Sequence, residues 1–326
     1  MKKIDWFLVG LAVATALAWI FPEPGAKGGW LHPQVVNRVG IGLIFFLHGA
    51  AMSFQSLKAG TLRWLLHLVV QGTTFVLFPL IGLALMALLH GRVDPDLNLG
   101  FFYLCALPST VSSSVAMTAA ARGNVAAAIF NATLSSLIGV VLTPLWIDLV
   151  TRHSGAALPL GRVILDLIVS LVLPLAAGQV CRPWIGGWIS RHKRLIGLVD
   201  RGTILLLVYT AFCDSVKADI WAGHGLRTVA LVLAVSLALF FVALGAVIVI
   251  CRIMRLPMED RICAAFCGSK KTLASGVPMA QIIFRGHPGL GLIVLPIMIY
   301  HAMQLILCSM LASRWARRKD DGTAPA

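Results

Sequence analysis

The chain has 326 residues, of which 59% are hydrophobic and only 12% charged, and its mean hydropathy is +0.89. Such a composition leaves too little polar surface to cover the apolar residues in water, so it excludes a soluble globule and places the chain in a lipid bilayer. The net charge of +14 is then a matter of membrane topology, and no nucleic-acid partner is expected.

A bilayer core about 30 Å thick takes about 20 apolar residues per helical crossing. Stretches of that kind fall at about 5 to 21, 36 to 55, 64 to 89, 98 to 120, 124 to 148, 162 to 181, 202 to 220, 228 to 251, 260 to 284 and 289 to 313. These are ten predicted transmembrane helices, five per half. The short alternating strands of an outer-membrane barrel are missing from the sequence. Lys2, Lys3 and the Ala16-Leu17-Ala18 run give the first stretch the look of a cleaved signal peptide. Removing it would spoil a five-plus-five arrangement, so an uncleaved first helix is expected.

The second span contains His48 and the tenth His301. Each reads as a packed neutral histidine, with proton carriage as the alternative. In the third span Gln71, Thr73 and Thr74 lead into Pro79. The fourth is interrupted by Pro108, which removes a backbone donor and is followed by Ser109, Thr110, Ser112, Ser113 and Ser114. Broken backbone at membrane depth is tolerated only where it is buried in protein or lines a cavity. The fifth span carries Asn131, Thr133, Ser135 and Ser136 ahead of Thr143-Pro144, as helix contacts or as the wall of that cavity.

Asp214 lies inside the seventh span. The ninth is broken like the fourth: Gly268, Ser269, Lys270, Lys271, Thr272, Ser275, Gly276 and Pro278 all fall within it. A lysine at the centre of a membrane helix costs about 2.5 to 3.5 kcal/mol on insertion scales, so a functional role is the default. Asp214 is the candidate counter-charge, with Lys217 one turn away as its local alternative. The seven cysteines lie almost all in apolar stretches and imply no disulfide framework; Cys263 and Cys267, one turn apart, read as packing residues rather than metal ligands. The end of the chain, 316–326, is expected to be a disordered cytoplasmic tail.

The two halves repeat. Ala59-Gly60-Thr61-Leu62-Arg63 recurs as Ala222-Gly223-His224-Gly225-Leu226-Arg227, and Arg122-Gly123-Asn124 as Arg285-Gly286-His287. An odd number of spans per copy makes the repeat an inverted one, over residues 1–158 and 159–315. With the N-terminus in the cytoplasm, 17 Lys and Arg residues fall on the inner side and 8 on the outer, which puts both termini inside under the positive-inside rule. Paired broken spans in an inverted repeat mark a substrate and ion site at the bilayer midplane. No HExxH, phosphate-binding loop, nucleophile elbow or dinucleotide-binding glycine run occurs, so an enzyme is not expected.

The stretches FFLHGAAMSFQSLKAG, LPSTVSSSVAMTAAARGNVAAAIFNATLSSLIGVVLTP and CGSKKTLASGVPMA resemble the bile acid:sodium symporter family, in particular its SBF-like branch of the solute carrier family 10 member 7 type. The resemblance implies a panel of spans 1, 2, 6 and 7 and a core of spans 3 to 5 and 8 to 10, with spans 4 and 9 crossing at their unwound middles beside sodium. The family's Ser-Asn pair falls on Ser113 and Ser114, its fifth-span ligands on Ala128 and Ala132, and its third-span glutamine on Thr74. Its Glu and Gln of the ninth span are replaced by Cys267 and Lys271, and a carbonyl-donating Met by Lys270. A lysine brings a positive charge and no acceptor, so it can stand as a tethered cation where sodium would bind.

The sequence therefore predicts a multi-pass inner-membrane secondary transporter, monomeric and without a cofactor, moving an organic anion by alternating access. Sodium or a proton is the coupling ion; a sodium-independent uniporter-like carrier and a non-transporting membrane regulator are the alternatives. The predicted binding residues are Gln71, Thr74, Ser112, Ser113, Ser114, Asn131, Thr133, Asp214, Ser269, Lys270, Lys271, Thr272 and Ser275.

Overall fold

The computed structural model describes residues 6–51, 63–153, 159–219 and 225–318. Lys2 and Lys3, the repeat anchors at 59–62 and 222–224, the expected repeat boundary at 158 and the tail from 319 lie outside the described residues. The described residues form helices and connections, with no strand.

Seven helical stretches are long and apolar enough to cross a membrane. They are α2 (Pro33–Ala51), α3 with α4 (Trp64–Gly72 and Phe78–Leu89), α7 (Val125–His153), α8 with α9 (Leu160–Leu167 and Leu173–Arg191), α10 (Lys193–Lys217), α11 (Leu226–Ile253) and α14 (Leu290–Ala316). The other three predicted spans differ. The first is a 15-residue helix, α1 (Trp6–Ile20). The fourth divides into α5 (Pro95–Ala106) and α6 (Ser112–Ala120), and the ninth into α12 (Met258–Gly268) and α13 (Leu273–Ile283).

Proline explains both interruptions between α3 and α4 and between α8 and α9. Wide π turns at Thr73–Leu77 and Ile168–Val172 each end two residues before a proline, Pro79 or Pro174. The proline ring clashes with the carbonyl four residues back and has no N–H to offer, so the turn widens to let that carbonyl escape.

Two groups of helices pack mainly within themselves. One joins α1 to α10 and α2 to α9 and α10; the other gathers α3 to α7 around α11 to α14. Helix α14 is the centre of the second group and mostly buried, whereas α8 and α9 are mostly exposed and present side chains such as Val180 and Trp184 outward. On one side the two groups are pinned together. Asn37 Nδ2 donates to Thr210 Oγ1 (3.0 Å) and Gln281 Oε1 (3.4 Å), Gln281 Nε2 donates to the Leu207 carbonyl (3.3 Å), and Ser215 Oγ donates to the Pro288 carbonyl (2.9 Å).

The expected tail does not begin at 316. Ala316 is the last helical residue of α14, and the Arg318 guanidinium donates to the carbonyls of Ala121 (2.5 Å) and Arg122 (2.8 Å), where α6 ends.

Small residues set the closest approach. A Cβ on Gly49 would sit 2.0 Å from the Leu175 carbonyl, and one on Gly178 2.0 Å from the Phe46 carbonyl, so α2 and α9 meet backbone to backbone through a reciprocal pair of glycines. Gly178→Ala is expected to force the helices apart and cost about 1 to 3 kcal/mol, read as a fall in the thermal unfolding midpoint of the detergent-purified protein. Gly202→Ala, with nothing within 4 Å of the added Cβ, is the control and should not lower it.

Candidate functional site

The two broken spans meet. Between α5 and α6 the chain is non-helical at 107–111, and between α12 and α13 at 269–272. Ser109 Oγ donates to the Cys267 carbonyl (2.5 Å), Ser114 Oγ to the Phe266 carbonyl (3.1 Å), and the Thr272 N–H to the Pro108 carbonyl (3.1 Å). Helix ends leave carbonyls without partners, and here each break supplies donors to the other. Helix resumes at Ser112 and at Leu273, so Ser112, Ser113, Ser114 and Ser275 are helical.

Lys271 is fully buried and its ammonium has three partners: the carbonyls of Thr74 (3.0 Å), Cys105 (2.8 Å) and Leu107 (2.7 Å). An ammonium has three N–H bonds, so all of them are used. Pro79 explains the first acceptor. The π turn would pair the Thr74 carbonyl five residues on, at Pro79, which has no N–H; the Phe75 carbonyl, four residues before Pro79, is taken instead by Trp146 Nε1 (3.0 Å). The other two carbonyls close the C-terminal end of α5, where the helix dipole favours a cation. The Phe78 ring adds a face 4.1 Å from the ammonium. Between them the Ala106 carbonyl accepts from Thr143 Oγ1 (2.8 Å).

Lys270 turns the other way. Its Nζ donates to Ser113 Oγ (2.8 Å), which is bonded in turn to Thr110 Oγ1 (3.0 Å). Both lysines are held by neutral groups, with no carboxylate at ion-pair distance among the described residues. Asp214 is not their counter-charge. It accepts the Lys27 N–H (2.6 Å) near the far end of α10, and Lys217 pairs with Glu23 rather than with it. Desolvation explains why no acid is needed here: oriented carbonyls carry the partial charge without a second buried ion.

Beside the crossing lies a cavity of about 500 Å³. The first turns of α6 and α13 open onto it through Ser112, Ser113, Thr272 and Ser275, and Thr133 and Ser136 of α7 form part of the wall. Ser275 is 8% exposed and Thr272 5%; the Thr272 Oγ1 caps α13 by accepting the Ser275 N–H (3.3 Å). Much of the remaining wall is apolar, including Phe7, Phe45, Leu137, Leu175, Ile204 and Leu305, with the charged or titratable His48, Asp200, Arg201 and His301 among it.

The predicted residues thus divide. Ser112, Ser113, Thr133, Thr272 and Ser275 line the cavity. Lys270, Lys271, Ser114, Ser269 and the Thr74 carbonyl build the crossing itself, Ser269 by giving its carbonyl to the Tyr300 hydroxyl (2.7 Å). Gln71 and Asn131 bond one another, Nε2 to Oδ1 at 3.2 Å, as a contact between α3 and α7 away from the cavity. Asp200, Arg201 and Gln304 were missed. The first two were assigned to a loop because the seventh predicted span starts at 202, whereas α10 starts at Lys193. Gln304, an amide inside the apolar run of α14, was the visible signal for a partner to the break, and it accepts the Lys271 N–H (2.9 Å) and donates to the Lys271 carbonyl (2.7 Å).

Lys271→Met is expected to leave three buried carbonyls without donors, at roughly 1 to 3 kcal/mol each before relaxation, whereas Lys270→Met gives up one contact with Ser113. Thermal unfolding of the two purified variants should therefore show Lys271→Met as much the less stable; equal midpoints would contradict this assignment of roles.

The sequence profile of the SBF-like CPA transporter family matches residues 5–317. The chain is 45% identical to "Uncharacterized protein PA2026" of Pseudomonas aeruginosa, over 98% of this chain and 95% of that one. It is 41% identical to "Putative symporter YfeH" of Escherichia coli, again over 98% and 95%. With "Sodium/bile acid cotransporter 7" of Danio rerio it shares 34% identity over 94% and 92% of the two chains.

Proposed function

This chain belongs to the SBF-like CPA transporter family, and on that premise we propose that it is a secondary transporter carrying an organic anion across the inner membrane by alternating access. The observation that carries the substrate class is the convergence of two helix N-termini, those of α6 and α13, on one cavity that also holds Arg201. Helix N-termini present free N–H groups and partial positive charge, a setting for a carboxylate, sulfonate or phosphate. The apolar wall suits an amphipathic body behind that charge.

In this reading the ten predicted spans form two inverted five-helix repeats in a monomer. The panel is α1, α2, α8 with α9, and α10, and the core holds the rest. The packing of α1 and α2 on α10 and of α14 on α5 supports that division. The positive-inside count puts both termini in the cytoplasm, so the cavity, lined by Ala51 at the end of α2 and by Asp200 and Arg201 in the first turns of α10, faces inward, and the Asn37–Thr210–Gln281 side faces outward. Reporter fusions at residue 326 and in the 225 region are expected to give cytoplasmic and external signals respectively; an external C-terminus would overturn the inverted arrangement.

Lys271 supplies the cation at the crossing. The carbonyls of Thr74, Cys105 and Leu107 are the kind of oxygen donors sodium needs, and the lysine ammonium already occupies them. Sodium in the same place would meet a fixed positive charge. Uptake of taurocholate, an amphipathic sulfonate, into proteoliposomes is expected to saturate and to run equally fast in sodium and in choline buffer. A strict sodium requirement would restore sodium coupling, and absence of any anion flux or binding across a ligand screen would favour the non-transporting regulator.

A further inference from the structure

Two histidines line the cavity, and the structure holds them in opposite ways. His301 Nδ1 lies 2.9 Å from Gln304 Nε2. That amide has a fixed orientation, because its oxygen accepts the Lys271 N–H and its nitrogen donates to the Lys271 carbonyl. Nδ1 of His301 is therefore the acceptor and the ring is neutral. A proton added there would set two donors against each other, and relieving the clash would break the amide's bonds to the crossing.

His48, in the last turn of α2, faces Asp200 on α10 with Nε2 3.2 Å from Oδ1. That carboxylate oxygen is buried and has no aligned hydrogen bond among the described residues. A proton on His48 breaks nothing and creates an ion pair. The other charged groups around His48 are few. Helix α10 adds Arg201, whose guanidinium carbon lies 5.9 Å from the Phe7 ring. Helix α9, packed along α2, adds Arg182, whose stem runs by Gly186 near the Ala50 carbonyl. The π turn 168–172 on α2 has no titratable residue, and α14 across the cavity offers His301.

Charge balance couples this pair to the cavity's occupant. A monoanion entering the cavity brings a second negative charge into the same space as the Asp200 carboxylate, behind a wall that is largely apolar. A proton on His48 offsets the Asp200 charge that faces it, and by linkage each of the two ligands then raises the affinity for the other. We propose that His48 and Asp200 are the proton site of this carrier, loaded when the cavity takes an organic anion and emptied when it is vacant, so that one proton travels with each monoanion. The proposal rests on the anion-carrier reading above and names its coupling ion.

The proton site is tested without any substrate. In protein with 15N-labelled histidine in nanodiscs, the ring signals are followed from pH 5 to 8 and assigned with His48→Gln and His301→Gln. His48 should take up a second ring proton in the wild type and do so less readily in Asp200→Asn, where the facing charge is removed, and His301 should keep a single ring proton. A His48 ring that does not titrate, or whose midpoint ignores Asp200→Asn, overturns the proposal. Coupling is tested by taurocholate uptake into proteoliposomes, since the charge of this probe is constant over that range. An inward acid gradient should accelerate uptake several-fold in the wild type and leave His48→Gln unaffected. The same acceleration in both proteins overturns the coupling. Uptake in neither protein counts against the anion-carrier reading instead, and the ring titration still decides the proton site.

Discussion

The ammonium of Lys271 is the contact on which the rest of the site depends. Two breaks in the backbone, one forced by Pro79 in the π turn and one around Pro108, leave carbonyls at membrane depth that water cannot reach. Lys271 takes one carbonyl from the first and two from the second. Its own backbone is fixed from the other side by Gln304. One side chain thereby ties the third predicted span to the fourth, from its seat in the ninth. The cost of burying a cation is met by oriented dipoles rather than by an acid, which explains why the crossing contains no carboxylate partner among the described residues.

Much of this geometry was legible in the sequence, because its causes are local. Pro108 with its run of serines and Gly268 to Pro278 announced broken helices, and α5, α6, α12 and α13 appear there. The 64–89 stretch gave its span to the residue. Lys270 and Lys271 stood out by cost alone. Ser112, Ser113, Thr272 and Ser275 were chosen because they follow the breaks, and the start of a helix is where polar side chains and free N–H groups collect.

The rest depended on contacts that no local pattern records. Asp214 was the best acid by sequence position, yet Lys27, 187 residues away in sequence, holds it at the other end of α10. Asn131 read as a helix contact or as part of the cavity wall, and the structure makes it a helix contact: its Oδ1 accepts from Gln71 Nε2 between α3 and α7. The start of α10 was placed nine residues late because Lys193, Arg194, Asp200 and Arg201 lower the hydropathy of its first turns. That error removed from view the two charged residues that α10 brings to the cavity. Polar residues in such a helix lower its apolar score for the same reason that they matter, so a hydropathy window tends to trim away the functional end of a span.

The distribution of bonds also says which part of a carrier of this design can move. The crossing is dense: within a few residues Lys271, Ser109, Ser114, Thr143, Tyr300 and Gln304 each satisfy backbone groups of another segment. Disturbing it would expose several buried carbonyls at once. Among the described residues the polar contacts between the two helix groups are sparse by comparison, and include the bonds of Asn37, Gln281 and Ser215 and the Arg285–Asp166 pair at 3.1 Å. Each is worth about 1 kcal/mol net, and the ion pair is half exposed. On the alternating-access reading proposed above, the cycle with the lowest barrier leaves the crossing intact and exchanges these outer contacts for others across the cavity. The His48–Asp200 pair lies on the helix group opposite the crossing, so its charge state can bias that exchange without touching Lys271.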